Sequence, residues 1–150
     1  MMRHVIPMQA AMPAPLYAQI FRARLPAIRG VLVAVEQALA DADPDLAGRA
    51  ELVLAELLNN VQRHGGEADT GGARPVRIVL QLSLRGDGLV AVLIDDGCAI
   101  PPGCLTAPAP PDPDALPEGG FGWSLIHILA TDLQYWREMP CNILSFRVPA

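Results

Sequence analysis

Residues 76–94 leave the chain little freedom. Val76, Ile78, Leu80, Leu82 and Leu84 alternate with Arg77, Gln81, Ser83 and Arg85, and after Asp87-Gly88 comes a nearly unbroken apolar run, Leu89 to Ile94. A period of two predicts a strand with one buried face, and an Asp-Gly pair between two such runs is a tight-hairpin signal. Val76–Ser83 and Leu89–Asp95 are therefore expected as adjacent antiparallel strands. Their apolar side needs a layer of helices to cover it.

The flanking sequence supplies that layer. Ile28, Val31, Leu32, Val35 and Leu39 recur at helical spacing behind Pro26, and a second helix is expected from about Pro44 to His64, stopped by Gly65 and Gly66. A first strand is expected over Tyr17–Ala23, a third helix from Gly122 to about Thr131, and a closing hairpin of Leu133–Trp136 with Ile143–Val148 across Met139-Pro140. The order predicts a two-layer α/β (α+β) sandwich: a mixed, mostly antiparallel sheet with helices on one face. Gly97–Gly120 holds seven of the fifteen prolines, which speaks against regular structure, and a loop this long between strong elements is expected as a functional lid, about 98–120. One domain over 16–150, after a loose tail over 1–15, accounts for the length.

Composition excludes several functions. The net charge is -5, so no nucleic-acid partner is expected. Apolar runs such as Val31 to Val35 are too short for a membrane span. All 11 basic residues are arginine; without lysine there is no Walker-type phosphate loop. Three cysteines, Cys98, Cys104 and Cys141, fit no zinc spacing and are expected as reduced thiols in a cytoplasmic protein.

Three constellations carry chemistry. Glu56, Asn60 and His64, each four residues apart on the second helix, form one polar strip, because successive members drift only about 40° round the axis. The strip borders the apolar stripe of Val53, Leu54, Leu57 and Val61. An amide oxygen at Asn60 could ligate a hard cation such as Mg²⁺, and Glu56 could accept a proton; alternatively the strip is ordinary helix surface. Asp95-Asp96-Gly97-Cys98-Ala99-Ile100-Pro101 follows the most apolar strand. A carboxylate emerging there needs a donor, such as an adenine amino group, and Gly97 would let backbone approach a flat base; the other reading is a solvated turn. Gly119-Gly120-Phe121-Gly122 opens the third helix, where exposed N–H groups favour anions; the other reading is a hinge.

Taken together and in this order, the three resemble the N box and the two glycine boxes of the GHKL ATPase superfamily, over a span from about Tyr17 to the C-terminus. Leu54-Ala55-Glu56-Leu57-Leu58-Asn59-Asn60 with Arg63-His64-Gly65, and Gly119-Gly120-Phe121-Gly122 with Leu125-Ile126, look most like the anti-sigma-factor serine kinases. The resemblance implies ATP and Mg²⁺ as cofactors, Glu56 as catalytic base, Asn60 as Mg²⁺ ligand and Asp95 as adenine contact. It further implies that Gly97, Ala99, Gly120 and Gly122 line the nucleotide. Its implied partners are a sigma factor and a small antagonist protein phosphorylated on serine, with a homodimer as a further state it allows.

Three positions depart from the family pattern. Ala99 stands where a second glycine is usual, Trp123 replaces a smaller aliphatic residue, and 98–120 contains no Lys or Arg. Phosphoryl transfer needs positioning and charge stabilisation, so two functions stay open: a protein serine kinase, or a catalytically degenerate ATP-binding or phosphotransfer module acting by protein–protein interaction.

Overall fold

The computed structural model describes residues 14–65, 74–106 and 121–150, with Phe121 as backbone only. The expected tail up to residue 13, the helix-stopping Gly66, the glycines Gly119 and Gly120, and the lid segment 107–120 lie outside the described residues.

The elements are β1 (Tyr17–Arg22), α1 (Leu25–Ala38), α2 (Pro44–His64), β2 (Arg77–Arg85), β3 (Gly88–Asp95), α3 (Pro102–Leu105), α4 (Phe121–Leu129), β4 (Thr131–Glu138) and β5 (Cys141–Pro149). They build a five-stranded sheet in the order β1-β2-β3-β5-β4, and every neighbouring pair is antiparallel. The parallel component of the expected mixed sheet is therefore missing among these strands. The reason is topological. The crossover from β3 through α4 returns as β4 at the sheet edge, and β5 folds back between them, so β3 and β4, which run the same way, never touch.

The expected β2–β3 hairpin is present, with Ile78 facing Asp95 and Arg85 facing Gly88. This register makes Gly86 and Asp87 the turn residues and puts Gly88 inside β3. Gly88 adopts φ +141°, and a Cβ there would collide with the Val148 carbonyl, so the glycine is required by backbone and by packing alike. Ile78, Leu80 and Leu82 are buried as the alternation predicts, but Leu84 is exposed beside the turn and Ser83 is buried instead.

Helix α2 has the bounds the sequence predicts. Asp43 caps it, its side chain accepting from Asp45 N at 2.8 Å and Leu46 N at 3.1 Å, which satisfies two of the unpaired first-turn donors. Leu46, Ala50, Val53, Leu54, Leu57 and Leu58 are its buried residues. Against them and α1 lie Leu80, Leu82, Leu89, Leu93, Leu144, Phe146 and Val148, all buried in one cluster. Each fully buried Leu or Phe contributes about 1.5–3 kcal/mol of transfer free energy, so this face fixes how α2 sits and hence where its polar strip points.

Between β3 and α4 the sequence predicts no regular structure, yet Pro102–Leu105 forms one helical turn. A proline in the first turn loses nothing, since that N–H has no helical partner. Helix α4 begins at Phe121, one residue before the expected start, and the closing hairpin is longer at both ends than its apolar run suggested. Among the described residues no helix is long and apolar enough to cross a membrane.

Candidate functional site

A cleft of about 600 Å³ opens between the C-terminal half of α2, the exit of β3, α3 and the start of α4. Glu56, Asn60, His64, Asp95, Ala99 and Gly122 all line it. Three constellations far apart in sequence thus meet at one place.

Two glycines bring the first pair together. A Cβ on Gly97 would lie 2.6 Å from the Gly65 carbonyl oxygen and 3.0 Å from Gly65 Cα. Cys98 N donates to that same carbonyl at 2.8 Å. The end of α2 and the exit of β3 are therefore in backbone-to-backbone contact. The space that the missing side chain of Gly97 leaves is filled by Gly65 of the chain itself.

Asp95 is 5% exposed at the end of β3. Its Oδ1 accepts from Gly97 N at 2.9 Å and from Asn142 Nδ2 at 2.9 Å. Burial pushes its carboxyl above the usual carboxylate range, with Asp96 adding to the rise; the bonds from Asn142 and Gly97 and the charge of Arg137 work against it. The result is a buried carboxylate supported by donors on one oxygen, able to accept from a ligand's N–H.

Across the cleft, Glu56 and Asn60 face α4. A Cβ on Gly122 would come within 2.5 Å of Glu56 Oε2 and 3.7 Å of Asn60 Nδ2. The absent side chain at 122 is what gives the Glu56 carboxylate its place beside the first turn of α4, where the helix dipole favours negative charge. Among the described residues, Asn60 Nδ2 is buried with no hydrogen-bond partner. An unsatisfied buried amide is costly, and a half-turn of the carboxamide presents its oxygen at the same place. That orphaned group fits a cation ligand. Among the described residues no three His, Cys, Asp or Glu side chains gather as a metal site. A cation at Asn60 would accordingly draw its other ligands from phosphate oxygens and water.

The remaining walls come from residues the sequence did not single out as ligands. Trp123 lines the cleft, its ring 6.2 Å from that of His127, and His127 Nε2 donates to the Cys104 carbonyl at 2.8 Å, tying α3 to α4. Arg63, exposed on α2, also lines the cleft, so a cation reaches it from the helix although 98–120 carries none. His64 is exposed at the same rim. The residue that sequence reasoning missed is Asn142, 1% exposed beneath Asp95. Its signal was present: in β5, Asn142, Leu144, Phe146 and Val148 are the buried alternates, and a lone amide in such a row needs buried partners. Gly120 lies outside the described residues.

The family described as Histidine kinase-like ATPase domain matches residues 21–148. Among solved structures, the catalytic domain of the histidine kinase ThkA, in a nucleotide-free form, is similar at 16% identity and a TM-score of 0.47, over 89% of this chain and 97% of that one. No curated protein sequence matches the chain.

Proposed function

The chain belongs to the histidine kinase-like ATPase family, and from that premise we propose that its cleft binds ATP with Mg²⁺ and serves a regulatory protein kinase of the anti-sigma-factor type. The observation that carries this is the meeting of Glu56, Asn60 and Gly122, with a carboxylate and an orphaned amide one helical turn apart facing the glycine that opens α4.

In this reading Asp95 accepts from the adenine amino group. Asn60 holds Mg²⁺ together with phosphate oxygens, and that cation supplies charge neutralisation at the terminal phosphates. Glu56, on the same strip, takes the proton from an incoming serine hydroxyl. Arg63 supplies positive charge at the rim, and Gly122 with Gly120 leaves backbone N–H groups for the phosphates. Ala99 lines the base side. The substrate is a serine on a small antagonist protein, the regulated partner is a sigma factor, and the setting is the cytoplasm. The chain's own likeness to anti-sigma serine kinases at 54–65 and 119–126 supports that choice of partners.

A second reading is favoured by one specific feature. Residues 98–120 contain no Lys or Arg, so the lid brings no cation to a γ-phosphate, as a regulatory module that binds ATP without transferring phosphate would allow.

Calorimetry of ATP with and without Mg²⁺, on the parent and on Asn60→Ala, tests the binding proposal. Mg²⁺ should tighten ATP binding to the parent and not to the variant. An equal Mg²⁺ response in both would remove Asn60 from the site.

A further inference from the structure

Asn142 lines the cleft, yet every hydrogen-bonding group it has is committed to the protein. A carboxamide offers two N–H donors and an oxygen with two lone pairs. Asn142 Nδ2 donates to Asp95 Oδ1 at 2.9 Å and to the Cys98 carbonyl at 2.8 Å, with the Gly97 carbonyl further off at 3.3 Å. Its Oδ1 accepts from Tyr135 OH at 2.6 Å and from Arg137 Nη1 at 2.8 Å. Tyr135 OH in turn accepts from Ile100 N at 3.1 Å, and Arg137 Nη1 also donates to the Gly97 carbonyl at 3.0 Å. A side chain so satisfied has nothing left with which to read a ligand. Whatever it does for the cleft it does through Asp95 and the segment 97–100.

We propose that Asn142 is a positioning residue that, braced by Tyr135 and Arg137, fixes the Asp95 carboxylate and the segment 97–100 as one unit. The proposal rests on Asp95 as the adenine contact. Asn142 and Asp95 are direct cross-strand partners of β5 and β3, so the amide reaches the carboxylate without bending either strand. Both donors found among the described residues converge on Oδ1, which fixes the plane of the carboxylate from one side. Tyr135 and Arg137 come from β4, so three strands hold one acceptor. A base seated against Asp95 would thereby register its position on the backbone at Gly97, Cys98 and Ile100, the first residues on the way to 107–120.

The brace also sets the charge of Asp95. The groups facing this end of the cleft are Asp96 just after β3, Arg137 and Tyr135 on β4, and Glu56, Arg63 and His64 on α2. Against burial, the amide of Asn142 is a donor that favours the ionised form. Its removal makes Asp95 protonate at higher pH, and a protonated carboxyl no longer presents a clean acceptor to an amino group.

The experiment uses the full chain and Asn142→Leu. The Asp95 carboxyl is followed by ¹³C NMR across pH without nucleotide, assigned by its loss in Asp95→Asn, and ATP and GTP affinities are measured by calorimetry over the same range. The expected result is an Asp95 titration moved to higher pH, with ATP affinity near neutral pH down about tenfold, the worth of one buried hydrogen bond, and the ATP-over-GTP preference reduced. An unmoved titration overturns the proposal. A moved titration with unchanged ATP affinity upholds the brace and instead removes Asp95 as the base contact. Should Asn142→Leu fail to fold, Tyr135→Phe decides, since it deletes one hydroxyl and keeps the ring. It should speed hydrogen exchange at the Ile100 amide and weaken ATP several-fold; neither change occurring overturns the proposal.

Discussion

Gly122→Ala separates the chemistry of the cleft from its stability. The added methyl would sit 2.5 Å from Glu56 Oε2, 3.4 Å from Glu56 Cδ and 3.7 Å from Asn60 Nδ2. Of these only the first is a severe overlap, and it involves the far end of a flexible side chain. The carboxylate must therefore retreat by about 1 Å to reach ordinary contact. The fold gives up little, because Gly122 lies in the first turn of α4, where alanine gains at most about 1 kcal/mol of helix propensity. A catalytic group misplaced by about 1 Å can cost on the order of 10²-fold in rate. Gly122→Ala should thus unfold at the parental denaturant concentration or slightly above it, bind Mg-ATP within a few-fold of the parent, and lose about two orders of magnitude in phosphoryl transfer or ATP hydrolysis. The assay is a double-mutant cycle with Glu56→Gln, scored by turnover and by urea denaturation. Once the base is gone, displacing the isosteric amide costs no catalysis, so Gly122→Ala should lower turnover no further in that background. Full activity in Gly122→Ala, or additive losses in the double variant, would refute the idea that this glycine exists to seat Glu56.

The other expectations concern the same cleft. Glu56→Gln alone should keep ATP affinity and lower phosphoryl transfer by about 10²–10⁴-fold, measured with a captured partner protein as acceptor. Gly97→Ala should behave oppositely to Gly122→Ala: its methyl meets the backbone carbonyl oxygen and Cα of Gly65, so it should lose about 1–3 kcal/mol of stability to overpacking, read by urea denaturation. Asp95 has a folded-state pKa raised by burial. A raised pKa means that its contribution to stability is fully present below the unfolded carboxylate value and is lost as pH rises through the folded value. Asp95→Asn should therefore be more stable than the nucleotide-free parent at neutral pH, the advantage shrinking as pH falls, while binding ATP more weakly and discriminating less against GTP. Thermal melts across pH, paired with calorimetry, check both halves.

The sequence by itself determined every element but α3, and it singled out six of the residues that line the cleft. Period-two alternation in 76–85 marked a half-buried strand, and the stripe beside Glu56, Asn60 and His64 marked a helix from about Pro44 to His64, because hydrophobic periodicity and helix-stop signals are local and need no partner to be read. The family likeness was legible for the same reason, since its motifs are short runs. What tertiary structure alone decided is distance. Nothing in the one-dimensional order says that Gly97 packs on Gly65, that Gly122 leaves room for Glu56, or that β5 inserts between β3 and β4. Asn142 belongs to this second class. Its place in an alternating row was visible, but its function exists only through partners at 95, 98, 135 and 137. A buried amide acquires its role from whatever the fold brings within about 3 Å of it, and that is set by how strands pair across the sheet.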